Sequence, residues 1–239
     1  MTTAIDIRRS ADRFQTRVGW LDSKHSFSFS NHYSPDNTHH GQLLVCNDDR
    51  VASGTGFDTH PHRDMEIVTW VLDGELEHKD SEGNSGIIYP GLAQKMSAGR
   101  GIWHSEKNLS TTDDVHFIQM WVLPDTESID PGYQQLDIND ALAAGGLVPI
   151  ASGQGHDAAI SIQQKEAVLW GARLNAGDRI EVPEAQFGHI FVARGSAELE
   201  SNGTLDTGDA VRLEDASGIE LVAESDGAEI LVWTTGAMR

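Results

Sequence analysis

Apolar residues along this chain fall into short runs closed by turn signals. The first series runs Phe27 to Phe29, Leu43 to Val45, Ile67 to Leu72 before Asp73-Gly74, Ile87 to Tyr89 before Pro90-Gly91, and Phe117 to Leu123 before Pro124. A second series follows: Ala167 to Leu174, Ile180 to Val182, His189 to Ala193, Ala197 to Leu199, Ala210 to Leu213, Ile219 to Val222 and Ile230 to Trp233. Such lengths, bounded by Gly, Pro, Asn and Asp, predict strands of a sandwich or barrel. One short helix is expected at Ile138 to Ala144. It lies in a segment, residues 125–150, whose Asp130-Pro131-Gly132 and Gly145-Gly146 mark it as a linker between residues 1–124 and 151–239. The strings Val71-Leu72-Asp73-Gly74-Glu75-Leu76-Glu77 and Val192-Ala193-Arg194-Gly195-Ser196-Ala197-Glu198 share a pattern, so a diverged internal duplication is the simplest explanation.

Two i, i+2 dyads stand out within the first half: His60-Pro61-His62 and His104-Ser105-Glu106. A strand sends alternate side chains to one face, so each dyad aims two metal-type groups the same way. Pro61 favours extended backbone at the residue before it. If the two segments are neighbours in one sheet, three imidazoles and a carboxylate converge into a ligand set for a divalent transition metal. Glu66 shares the parity of His60 and His62 if that strand is unbroken, so parity does not choose between Glu66 and Glu106. The other histidines are expected on the surface or hydrogen-bonded in the core. Trp103, of opposite parity to His104, is expected to pack against the sheet, Cys46 to lie in the core, and Phe57, Met65 and Trp121 to fill the barrel, with a cleft lining as the alternative.

Composition narrows the functional classes. The net charge is −20, with 11 basic against 17 acidic residues in 1–124 and 6 against 20 in 125–239. A surface this acidic repels phosphate backbones, which argues against direct nucleic-acid binding. The single cysteine excludes an intramolecular disulfide and a thiolate zinc site. No apolar run follows Arg8-Arg9, and none approaches the ~20 residues of a membrane span, so a cytoplasmic protein is expected.

The spacing around the dyads is similar to the two cupin motifs: Gly54, His60-x-His62, Glu66 and Gly74 for the first, and Gly101-Ile102-Trp103-His104 with Asn108 for the second. Gly74 falls one residue later than the general pattern, and Gly99 stands where a proline is usual. The strings HPHRDMEIVTWVLDGELEHKDSEGN and MSAGRGIWHSEKN resemble the pirin family, and within it the bacterial pirin-like proteins associated with quercetin 2,3-dioxygenase activity. The resemblance implies an all-β bicupin, two jelly-roll barrels in tandem with few short helices. It also implies one metal per chain held by His60, His62, His104 and Glu106, with iron(II) first in expectation and manganese, nickel, cobalt, copper or zinc compatible. The turn at Gly195 is preceded only by His189, so the second half is expected to carry no such metal.

Three neutral nitrogens and one carboxylate leave two positions of an octahedral ion free. Those positions suit water, dioxygen or a chelating enolate; the resemblance implies a flavonol such as quercetin and dioxygen as substrates, with ring opening and loss of carbon monoxide, and Glu106 is expected as both ligand and general base. The competing expectation is an iron-binding regulatory protein that acts through a protein partner. A monomer is the expected state.

Overall fold

The computed structural model describes residues 3–238. The chain opens with β1 (Ala4–Arg8), a 3-10 turn at Ser10–Asp12, β2 (Phe14–Val18), β3 (Leu21–His25), β4 (Leu43–Val51), β5 (Gly56–His62), β6 (Glu66–Asp73), β7 (Leu76–Asp80), β8 (Ser85–Ile88), β9 (Leu92–Ser97), β10 (Ile102–Lys107), β11 (Val115–Val122) and β12 (Gly132–Asp137). A short helix α1 (Asn139–Ala143) leads into β13 (Val148–Ser152), β14 (Ile160–Ser161), β15 (Ala167–Leu174), β16 (Arg179–Glu181), β17 (Ala185–Arg194), β18 (Ser196–Leu199), β19 (Gly203–Asp206), β20 (Ala210–Ala216), β21 (Glu220–Ala223) and β22 (Ala228–Thr235). The all-β prediction and the single short helix agree with this. No helix among the described residues is long and apolar enough to cross a membrane.

Each half is a cupin-type barrel built from one seven-stranded and one four-stranded sheet. The large sheets run β12-β9-β6-β11-β4-β3-β2 and β1-β20-β17-β22-β15-β13-β14, and the small ones β5-β10-β7-β8 and β16-β21-β18-β19. The central four strands of the large sheets, β9-β6-β11-β4 and β20-β17-β22-β15, correspond in order, which is the duplication written in topology. Gly74 and Gly195 sit at equivalent turns with φ of +76° and +70°, a region an L side chain adopts only with strain.

Two segments cross the boundaries expected from the sequence. β1 pairs antiparallel with β20 of the second half, from Ala4 opposite Glu214 to Arg8 opposite Ala210, so the N-terminal strand belongs to the C-terminal sheet. Ile5 and Ile7 pack on that barrel's core, and Asp209 accepts hydrogen bonds from the Arg9 guanidinium (2.6 Å) and the Ser10 amide (2.7 Å). Within the expected linker, β12 pairs with β9 at the edge of the first large sheet. Both additions cover a sheet edge whose backbone groups would otherwise be left open.

The two large sheets pack against each other. Val68, Trp70 and Met120 of the first half meet Leu169, Phe191 and Trp233 of the second in one continuous apolar layer. β6 is therefore buried on both faces from Glu66 to Leu72, one lining its own barrel and the other the layer, which is why it reads as an unbroken apolar run. Each such side chain contributes about 1.5–3 kcal/mol, against ~0–1 kcal/mol for an exposed ion pair, so apolar burial holds the halves together. The Trp70 indole N–H donates to Glu229 across this layer, and Arg173 satisfies the other oxygen of that carboxylate at 3.0 Å.

Candidate metal centre

β5 and β10 are hydrogen-bonded neighbours in the small sheet of the first barrel, as the convergence of the dyads requires. His60 lies opposite His104, and His62 opposite Ile102. The register then slips between His104 and Glu106, so that Phe57 rather than Asp58 stands opposite Glu106. This bulge changes the phase of β5: Phe57 and His60 both face inward, although sequence parity separates them. Gly56, with φ +146°, permits the approach, since a Cβ there would lie 2.2 Å from the Glu106 carbonyl oxygen.

Three imidazoles meet on this face. The ligand nitrogens of His60, His62 and His104 lie within 4.8 Å of one another, with His60 Nε2 and His104 Nε2 3.0 Å apart. Burial, followed by the neighbouring imidazoles, pushes His62 down to about 4 and His104 down to about 3. Both rings therefore keep a free lone pair at neutral pH. His62 Nε2 is buried without a hydrogen-bond partner. An orphaned imidazole nitrogen beside two further imidazole nitrogens fits a cation better than it fits a packed core. These groups can hold a transition-metal ion.

Glu106 joins through His104. Its carboxylate, His104 and His78 form a second group of ligand atoms within 4.8 Å of one another, all three residues buried. The Gln119 amide donates to both oxygens of Glu106 at 2.9 Å, and Gln119 Oε1 in turn accepts the Trp121 indole N–H at 3.2 Å, which fixes the orientation of the amide. Glu66 lies elsewhere. It accepts from Ser97 Oγ (2.9 Å) and the Gln163 amide (3.1 Å), with Lys95 Nζ at 3.8 Å, and so belongs to the seam between the halves. Asp64, at φ +48°, stands between the two sheets, so the strand that would have given Glu66 the parity of His62 is broken.

Comparison with known proteins follows the same lines. Residues 7–122 match the pirin family model and residues 149–233 that of the quercetinase C-terminal cupin domain. A Mycobacterium tuberculosis protein whose name carries a provisional quercetin 2,3-dioxygenase assignment is 57% identical over 234 residues, 98% of this chain and 96% of that protein. The chain belongs to the pirin family. The quercetin 2,3-dioxygenase of Escherichia coli K12 is 36% identical over 95% of this chain and 97% of its own. The crystal structure of the bacterial pirin YhhW from Escherichia coli in complex with nickel(II) superposes with a TM-score of 0.89 at 34% identity, covering 98% of this chain and 100% of that one.

In this pirin one contributor to the site escaped sequence reasoning. His78 was expected on the surface or in the core with an ordinary partner, yet on β7 it stands opposite Glu106 and brings Nδ1 to 3.5 Å from His104 Nδ1. Its Nε2 lies 3.3 Å from Asp80. Burial alone would raise the Asp80 carboxyl, but the Asn84 side chain and backbone and then His78 hold it below its ordinary value. An ionised Asp80 keeps the His78 proton on Nε2; His78 Nδ1 then accepts from His104 Nδ1–H, leaving His104 Nε2 free for a cation. The alternation His78-x-Asp80 was the available signal, but its partner strand was not legible. His78→Ala should weaken metal affinity roughly 10–100-fold while leaving secondary structure intact, as measured by competition with a chromogenic chelator. Unchanged affinity would remove His78 from this role.

One aromatic expectation changes. Trp103 is 53% exposed, because it lies on the outer face of the small sheet opposite Pro61. Trp121 and Phe57 pack against core clusters of the barrel and also flank the centre, Trp121 edge-on to His62 at 4.9 Å and Phe57 at 6.3 Å from His60. Met65 packs on Ile67, Met96 and Ile102, and Cys46 is buried, its thiol pushed up to about 11 by burial. His25, His116 and His156 have side-chain partners at 2.7–3.0 Å, and His40 a backbone carbonyl at 3.0 Å. His189 is fully buried with neither ring nitrogen partnered, at the layer between the halves.

Proposed function

We propose that His60, His62, His104 and Glu106 hold one divalent transition metal, iron(II) by expectation, and that this centre opens the heterocyclic ring of a flavonol such as quercetin by 2,3-dioxygenation with release of carbon monoxide. The observation that carries the proposal is the convergence of three imidazoles, one with an orphaned nitrogen, with a buried carboxylate grouped with the shared His104. The quercetin 2,3-dioxygenase of Escherichia coli and the nickel(II) complex of YhhW support it from outside this chain. A divalent ion held there supplies Lewis acidity toward the adjacent 3-hydroxyl and 4-carbonyl of a flavonol and open positions for dioxygen.

The chain's own residues do the rest. Glu106 accepts the 3-hydroxyl proton, and the Gln119 amide keeps both carboxylate oxygens aligned for it. Asp80 and His78 hold His104 in one tautomer. Trp121 and Phe57 wall the site with apolar surface, which excludes water from the reacting ring. His60 and His62 are only half-buried, so the face they share is the entrance.

Oxygen uptake tests this directly. Metal-loaded protein should consume dioxygen with quercetin and not with luteolin, a flavone that lacks the 3-hydroxyl and so cannot present both oxygens to one ion. Equal rates with the two compounds would contradict the chelation mechanism.

A further inference from the structure

Five polar side chains interrupt the apolar interior of the first barrel beside the centre. Ser23 and His25 of β3 face Asp49 and Asn47 of β4, and Asn47 faces Gln119 of β11. All five are under 10% exposed. Together with Phe57 they line part of a cavity of about 170 Å³. Pockets for whole drug-sized ligands measure roughly 300–1,000 Å³, whereas a cavity of about 150 Å³ accepts one benzene ring. The space therefore suits one aromatic ring and not three. It adjoins the centre on the Glu106 side, since Gln119 both borders it and donates to Glu106, and Phe57 stands opposite Glu106 in the register.

Asp49 is the unusual member. It is 3% exposed, and its Oδ1 has no hydrogen-bond partner. A carboxyl oxygen that no protein group matches, on the wall of a cavity, is available to a ligand group that can complete it. Burial pushes this carboxyl up to about 7; Ser23 and Arg13 oppose the shift, and Asp48 and Glu106 add to it. Among the described residues no cation is paired with it, and the nearby Arg13 hydrogen bonds to Asp48 and backbone carbonyls.

We propose that this cavity is the subsite for one hydroxylated outer ring of the metal-bound substrate, and that Asp49 selects that ring by hydrogen bonding a phenolic hydroxyl. The inference rests on the flavonol reading of the centre and adds a specificity-determining residue to it. The aromatic wall at Phe57 takes the ring face and the polar row takes its substituents. The chelating pair stays with the metal ligands.

The test measures dissociation constants of the metal-loaded full chain for three flavonols that all keep the 3-hydroxyl and 4-carbonyl. These are quercetin; galangin, which lacks hydroxyls on the pendant ring; and 3,3′,4′-trihydroxyflavone, which lacks them on the fused ring. Wild type should bind one of the two analogues roughly ten- to a hundredfold more weakly than quercetin. Asp49→Leu should erase that ratio with metal content and melting temperature maintained or raised, because it removes an unsatisfied buried carboxyl. Asp49→Ser, a second deletion of the carboxyl with little added volume, should erase it too, and Asp49→Asn, which still donates and accepts, should retain most of it. Equal affinities of wild type for all three, or an unchanged ratio in both Asp49→Leu and Asp49→Ser, would overturn the subsite while leaving the flavonol reading in place. Binding of none of the three would overturn both.

Discussion

Replacing His104 with Ala is expected to abolish stoichiometric metal binding, the largest single effect on this molecule. His104 belongs to both groups of ligand atoms, the one with His60 and His62 and the one with His78 and Glu106, so its removal dismantles each. No neighbouring side chain replaces it: the bulge after His104 sets the phase of β5, and Trp103 points to solvent. The fold should survive, because the small sheet is held by backbone pairing of β10 with β5 and β7 on both sides and an alanine keeps those hydrogen bonds. Elemental analysis together with circular dichroism measures both. His62→Ala should behave likewise, whereas Glu66→Ala should keep its metal and lose stability at the seam with Lys95, Ser97 and Gln163. Undiminished metal in both histidine variants would refute the assignment, and metal loss in Glu66→Ala but not Glu106→Ala would exchange the carboxylates.

Glu106→Gln is expected to lower kcat by roughly 10²–10⁴-fold, the usual contribution of a positioned proton acceptor, with a much smaller change in flavonol affinity. The amide has nearly the shape of the carboxylate and can still approach a metal through its oxygen, but it cannot take the 3-hydroxyl proton. Gln119 now donates to two anionic oxygens; in the variant it meets one oxygen and one NH2 group. Turnover should therefore suffer more than binding, the signature of an interaction used in the transition state. Stopped-flow turnover and equilibrium titration on the same metal-loaded sample separate the two. A proportionate rise in dissociation constant with kcat unchanged would assign Glu106 to binding alone.

Much of this architecture was legible in the chain. Period-two spacing put His60 with His62 and His104 with Glu106, and turn residues such as Gly74 and Gly195 marked the duplicated barrels, because those signals are local. What stayed hidden depends on partners far away in the sequence. β1 has an alternating pattern that says strand but not whose edge it completes. His78 acquires meaning only once β7 lies beside β10, and Phe57 only once the bulge reverses the phase of β5. Asp49 looks like any acidic residue in Asn47-Asp48-Asp49, yet its neighbour Asp48 pairs with His116 and Arg13 on the opposite face of β4. Parity left Glu66 and Glu106 open, and the break at Asp64, a left-handed residue that parity ignores, takes Glu66 off the face of His62 into the other sheet.

Carbon monoxide is the product that distinguishes flavonol ring opening from every simpler oxidation this centre could support. Protein loaded with one equivalent of iron(II) and given quercetin under air should release one carbon monoxide for each dioxygen consumed, measured together by gas-phase detection and an oxygen electrode. Oxygen consumption without carbon monoxide, or no turnover with iron, manganese, nickel, cobalt or copper, would contradict the assignment.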